Sequence, residues 1–401
     1  MPASSILAAA TLAVTIATGP AGTAFYTPPS PLPAGNHGDV IWARPLTTGA
    51  ALPSAASNTL VLYHTTALDG SDRVVSGMVA IPPGSPPPGG WPVISWAHGT
   101  TGDAPDCTPS LDGPAGAEHD YLGPIWPVLD QLVAAGFAVV QTDYEGQGTP
   151  GVHPYLIGVD EARDAIDMVR AARQLDPRLS SRWVVMGHSQ GGHAVLFTLA
   201  AARAWAPELQ LLGGVAEAPG AFISPFIQSM TKTQAPTPAF AFAALFMEAA
   251  AAADPRVALD RVLTPATLAM LPQTQTRCAG GLYHADSFGG VVPAAAFRSD
   301  ADLGPLMRVA TANDAAQLHI TLPLLILQGS ADTTVPQASS DALDLALCAS
   351  GATVRYDVYT GLTHRPIVPG AASEALAWVR ARFAGAPAPS NCGAPPGIHG
   401  P

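Results

Sequence analysis

Residues 183–196 read WVVMGHSQGGHAVL, and this stretch decides the fold. Four apolar residues, Trp183 to Met186, suit a short buried strand. Gly187-His188-Ser189-Gln190-Gly191 then matches the pattern G-x-S-x-G, and Gly191 to Leu196 reads as the start of a helix. A strand that turns this sharply into a helix forces the central serine into a strained backbone conformation. The turn lifts the serine hydroxyl clear of the sheet. Glycine at 187 and 191 removes Cβ atoms that would clash in so tight a turn. The Gln190 amide falls at the helix N-terminus, where it can donate to a developing oxyanion. Alone the pattern is weak in a chain with 39 glycines, where an ordinary Gly-rich turn is the alternative. The strand before it and the helix after it make it specific.

Segments of the same kind repeat along the chain. Thr59–Thr66 and Val74–Pro82 suit an antiparallel pair of strands. Pro92–Trp96, Ala138–Thr142, Leu211–Ala216, Leu322–Leu327 and Val354–Tyr359 read as further strands. Helical patterns cover Ile125–Ala135, Asp160–Leu175, the run from the elbow to Ala206, and Ala371–Phe383. Strands alternating with helices predict an α/β fold, with about eight strands in a mostly parallel sheet covered on both faces. One gap does not fit a plain crossover, which needs only a dozen or more residues. About 100 residues separate the strand ending near Glu217 from the one at Leu322. This stretch is rich in Ala, Pro and Phe and predicts a helical lid, about 220–312, over the strand ends where ligands of such sheets bind. Phe222, Phe226, Phe240, Phe242 and Phe246 then either line an acyl channel or form the insert's own core.

A serine needs a base, and in this fold the partners follow in the order Ser, Asp/Glu, His. Asp332 follows the strand Leu322–Leu327 in QGSAD, just before Val335-Pro336. It suits the orienting acid, and it also suits a helix N-cap. Glu217, at the end of the preceding strand, is the rival acid. His364, just past the last strand, can reach across the top of the sheet to Ser189, with Nδ1 oriented by Asp332. The loop after Pro92–Trp96 reads HGTTG, and Thr100 there is the second oxyanion donor beside Gln190. His98 suits a structural role in holding that loop.

The composition narrows the partners. Thirty acidic against 18 basic residues leave a net charge of −12, which argues against nucleic acid and against electrostatic docking on anionic lipid. Hydrophobic residues make up 48% of the 401, which excludes a disordered chain. Residues Ile6 to Thr18 are almost wholly apolar or threonine, and small residues follow. The pattern suits a signal peptide over 1–24, although no Lys or Arg precedes the apolar run. No later stretch predicts a transmembrane helix. Cys107, Cys278, Cys348 and Cys392 suit two disulfides in an exported chain, with three connectivities open. Neither CxxC nor zinc spacing occurs, so no metal is expected.

Taken together, GHSQGGHA around Ser189, SWAHGTTG at 95–102, FYTPPSPLPAG at 25–35 and TDYEGQG at 142–148 resemble the secretory lipase family. The resemblance runs from about Phe25 to the C-terminus. It implies an α/β-hydrolase domain over 25–401 with a large helical lid, and secretion. It also implies cofactor-free hydrolysis of acylglycerols and other carboxylic esters. A transient lipid interface is a further expected partner, although only about 37 residues follow His364, a shorter tail than the C-terminal flap of yeast members. The family's serine, acid and histidine fall on Ser189, Asp332 and His364, and its oxyanion donors on Thr100 (or Gly99) and Gln190. The resemblance pairs Cys107 with Cys278 and Cys348 with Cys392. An acyltransferase or an amide or peptide hydrolase would use the same groups, because fold alone does not set the substrate. A lipid-binding protein without catalysis is the reading from another class.

Overall fold

The structure, a computed structural model, describes residues 16–400. Residues 1–15, which hold most of the expected signal peptide, lie outside the described residues. The strands are β1 (Ala17–Thr18), β2 (Val40–Pro45), β3 (Ser57–Thr66), β4 (Asp72–Ile81), β5 (Trp91–Ala97), β6 (Ala138–Thr142), β7 (Leu179–His188), β8 (Gln210–Glu217), β9 (Leu324–Gly329), β10 (Val354–Tyr359) and β11 (Gly397–His399). The longer helices are α1 (Trp126–Ala134), α2 (Gly158–Leu175), α3 (Gln190–Trp205), α4 (Ile223–Met230), α5 (Ala239–Ala253), α6 (Gly304–Ala312), α7 (Gln337–Ala349) and α8 (Ile367–Phe383).

The strands form one sheet in the order β1-β2-β3-β4-β6-β5-β7-β8-β9-β10-β11. The pairings β2/β3, β3/β4 and β4/β6 are antiparallel and the others are parallel. All eight expected strands are present, and β1, β2 and β11 widen the sheet to eleven. Two of the added strands have only two or three residues. The third, β2, is only partly buried and ends at Pro45, so it lacks a clear period-two apolar pattern.

Alternation along the central strands builds two cores. In β7, Trp183 and Val185 face one side and Val184 and Met186 the other. The first side is covered by α2, α3 and α7, through residues such as Ile166, Leu196 and Leu343. The second is covered by α1 and α8, through Leu129, Leu132, Ile367 and Trp378. A strand buried on both faces carries a continuous apolar run, as β7 does over Trp183–Met186. The α8 helix starts four residues earlier than expected, because Pro369 is tolerated in a first turn whose N–H groups have no intrahelical partner.

The segment between β8 and β9 is a helical insert with its own core, where Phe240, Phe246, Phe288 and Leu245 are fully buried. It is tied to the loop after β5 by the disulfide Cys107–Cys278, and the Ala279 amide donates to the Thr101 carbonyl at 2.9 Å. The second disulfide joins Cys348, at the end of α7, to Cys392. Both pairings agree with those the resemblance implied. At the other end, β1 pairs with β2, and Phe25 and Tyr26 are buried in the second core.

Candidate active site

Ser189 sits between β7 and α3 with φ 59° and ψ −114°, a conformation that is costly for any residue with a Cβ. The chain can turn here because of its glycines. A Cβ on Gly187 would meet the Gly191 and Ala97 backbones, and one on Gly191 would collide with the Ala97 carbonyl. Tyr144, Leu156 and Ala218 also have positive φ, so the strained non-glycine positions gather around this rim of the sheet.

The three residues expected to act together meet here. His364 Nε2 lies 2.9 Å from Ser189 Oγ, and His364 Nδ1 lies 2.7 Å from Asp332 Oδ2. Asp332 Oδ1 accepts the Thr334 and Val335 amides at 2.8 and 2.9 Å. Asp332 therefore closes a turn ahead of α7, whose N-cap is Pro336, and its other oxygen is left to face the imidazole. The helix-cap alternative is thus replaced by a turn that coexists with the orienting role. A chain of this geometry can pass the serine proton to the imidazole and steady the resulting cation.

Glu217, the rival acid, makes no such contact. It is buried at the end of β8 and neither carboxylate oxygen has a hydrogen-bond partner. Burial pushes its pKa well above the usual carboxylate range.

Thr100 lines a small cavity together with Ser189 and His364. The Gly99 amide already donates to Tyr121 Oη at 2.8 Å, which favours Thr100 over Gly99 as a free donor. Thr100 Oγ1 and Tyr155 Oη share a hydrogen bond of 2.8 Å. The Gln190 side chain is pinned away from the serine, donating to His153 Nε2 and Glu161 Oε1, both at 2.8 Å. His153 in turn donates from Nδ1 to the Glu145 carbonyl, and burial lowers its pKa to about 3, so it stays neutral. His98 donates from Nδ1 to the Gly99 carbonyl and is held near a pKa of 4 by burial, in keeping with a structural role.

A larger, mainly apolar cavity opens from Ser189 between the insert and the turn after Asp332. Phe222, Phe226 and Phe242 line it, with Leu156, Ile223 and Val335. Phe240 and Phe246 do not. They are fully buried inside the insert, which corrects the expectation that all five phenylalanines meet an acyl chain. Apart from Glu248, helix α5 is apolar on every side, so its sequence carries no sign of which phenylalanine meets the cavity.

Sequence reasoning missed Tyr121, His153, Tyr155, Glu161 and the inward role of His188. None lies in a motif that names its partner, and only the tertiary contacts bring them to the rim. Among the described residues, Asp344, Cys348 and Cys392 are the only His/Cys/Asp/Glu group with metal-like proximity, and both sulfurs belong to a disulfide.

Residues 126–391 match the secretory lipase family. The chain belongs to that family. Among curated proteins, it is 29% identical over 230 residues to lipase A of Moesziomyces aphidis, covering 52% of this chain and 48% of the relative. The match thus spans about half the length of that relative. A protein of Mycobacterium tuberculosis named probable inactive lipase MT1628 is 24% identical over 385 residues, covering 92% of this chain and 83% of its own. Among solved structures, Candida antarctica lipase A in its closed state superposes with a TM-score of 0.78 at 20% identity, covering 93% of this chain and 88% of the other. The rice cell wall degrading esterase LipA of Xanthomonas oryzae superposes with a TM-score of 0.70 at 21% identity, covering 87% and 98%. The fold of this secretory lipase family member is therefore that of an α/β-hydrolase.

Proposed function

We propose that this chain is a secreted serine hydrolase of carboxylic esters, working through an acyl-enzyme on Ser189. The observation that carries the reading is the continuous path from Ser189 Oγ through the His364 ring to Asp332, with links of 2.9 and 2.7 Å. Ser189 attacks the ester carbonyl while His364 Nε2 takes its proton. Asp332 holds the imidazole and stabilises the imidazolium. The Thr100 and Gln190 amides receive the charge on the carbonyl oxygen. The tetrahedral adduct collapses, and His364 returns the proton to the leaving alcohol. Water, deprotonated by His364, then attacks the acyl-enzyme and frees Ser189.

The mainly apolar cavity lined by Phe222, Phe226 and Phe242 supports an acyl group on that side, so lipids and simpler esters are the substrate class. The insert over it acts as a lid. The family, the two disulfides and the apolar Ile6–Thr18 run support export; cleavage near Ala24 removes the edge strand β1 and leaves a sheet of ten strands, with Phe25 the first buried residue. No helix among the described residues is long and apolar enough to cross a membrane.

One relative is named as an inactive lipase, so a binding protein without catalysis is the competing reading. Fluorophosphonate labelling separates the two. The wild type should label on Ser189 and hydrolyse p-nitrophenyl esters, and S189A should do neither while keeping the native circular dichroism. A wild type that binds fatty acid yet never labels overturns the enzymatic reading.

A further inference from the structure

We infer that Tyr121 and His188 are positioning residues for the hydrolysis proposed above, forming one buried bridge that sets the oxyanion loop and the base histidine in register across the nucleophile elbow. The inference rests on that reaction. Three bonds make the bridge. The Gly99 amide donates to Tyr121 Oη at 2.8 Å. Tyr121 Oη lies 2.9 Å from His188 Nδ1. His188 Nε2 lies 2.9 Å from the carbonyl oxygen of His364.

The ends of the chain fix every proton in it. An amide can only donate and a carbonyl can only accept. The His188 tautomer must therefore carry its proton on Nε2, and the Tyr121 hydroxyl must give its proton to Nδ1. Both residues are buried, at 1% and 4% exposure, so the first two links are shielded from water, and the link to the His364 carbonyl is part-buried. Burial, with the His364 and Arg365 charges next to it, drives the His188 pKa well down, which disfavours a second proton on the ring.

The position of each end gives the bridge its role. Gly99 adjoins the donor residue Thr100, His188 adjoins Ser189, and the accepting carbonyl belongs to His364 itself. These three segments come from different parts of the chain, and the bridge joins all three. The His188 and His364 rings also pack with centroids 4.5 Å apart. A separate observation points the same way: a Cβ on residue 99 would strike the Tyr121 hydroxyl, so the glycine of the HG turn is required by this contact. Tyr121 is held in turn under the Arg365 guanidinium, 5.2 Å above its ring. A displacement of about 1 Å in such a site can cost about 100-fold in rate.

The test uses the full chain with Y121F, H188F, the double variant and H188Q. Y121F keeps the ring and deletes the hydroxyl. The expected result is a fall in kcat of about 10- to 100-fold with KM nearly unchanged, and an equal loss of affinity for a trifluoromethyl ketone that mimics the tetrahedral adduct. The double variant should cost no more than the worse single variant, because both break one bridge. H188Q, whose amide can donate to the His364 carbonyl, should recover part of what H188F loses. Melting temperatures show that the variants are folded; if H188F does not fold, Y121F and H188Q still decide. An active wild type whose Y121F kcat is within twofold, or whose single effects multiply in the double variant, overturns the bridge alone. A wild type that neither turns over nor labels overturns the bridge together with the proposed function.

Discussion

The carbonyl of Ala97, the last residue of β5, occupies the space where a Cβ on Gly191 would stand. The elbow and the oxyanion loop are therefore packed backbone against backbone, with no room for a methyl group. G191A should fold poorly, losing about 3 kcal/mol or more, because the obstructing atoms are main chain and cannot swing away. Chemical denaturation, or soluble yield if the variant aggregates, reads the loss. A G191A protein as stable and active as the wild type would show that the elbow has slack.

Asp332 separates its two jobs between its two oxygens. D332N keeps an acceptor for the Thr334 and Val335 amides and loses the charge facing His364. We expect kcat to drop by about 10⁴-fold while the melting temperature moves little. Steady-state kinetics beside a thermal melt checks both halves. A loss below tenfold would remove Asp332 from the proton path.

Phe240 and Phe242 lie two residues apart on α5 and should respond differently. F240A empties a fully buried site and should cost about 3–5 kcal/mol with no change in acyl-length preference. F242A enlarges the cavity beside Ser189 and should shift the preference toward longer acyl chains with a smaller stability cost. A profile from acetate to oleate esters measures this. Unchanged selectivity in F242A would place the acyl group elsewhere.

The Cys107–Cys278 disulfide anchors the insert beside the oxyanion loop, spanning 171 residues. The double serine variant should lose roughly 2–5 kcal/mol and become sensitive to proteases within 220–312 before the rest of the domain opens. Calorimetry and mapping of the first cleavage sites test it. Uniform resistance would show that packing alone holds the insert.

Stability should fall as pH rises from about 4.5 to 7.5. Burial raises Glu118, Glu145 and Asp160 to about 7, against Arg365, Arg73 and Arg163, which pull them down. From their unfolded values near 4 up to about 7 the native state holds protons that the unfolded chain has released, so their contribution is full below pH 4 and lost as pH rises through 7. His98 and His153, held at about 4 and 3, act with the opposite sign below pH 6.5. The unfolded chain takes up protons that these two rings refuse, which offsets part of the carboxylates' effect. Melting temperatures from pH 4.5 to 9 should fall and then level off near pH 8, and E118Q with D160N should flatten the fall. A melting temperature that rises from pH 5 to 7.5 would contradict the account.

The serine elbow, Asp332 and His364 could be read from the chain because each sits in a local pattern that packing must respect. A strand-turn-helix needs glycines at fixed offsets, and polar groups at the ends of buried strands stand at one rim of a parallel sheet. The same logic made the eight expected strands visible, since a strand covered on both faces carries a near-continuous apolar run at its centre. The tertiary structure alone decided what depends on contact between distant segments. It separated Asp332 from Glu217, because both end a buried strand and only the fold shows which carboxylate meets an imidazole. It sorted Phe242 from Phe240, because α5 is apolar around both of them. It added β1, β2 and β11, whose pairing rests on backbone bonds that carry no side-chain signature. It joined Tyr121 to His188, because a hydrogen bond between residues 67 apart leaves no mark on either neighbourhood.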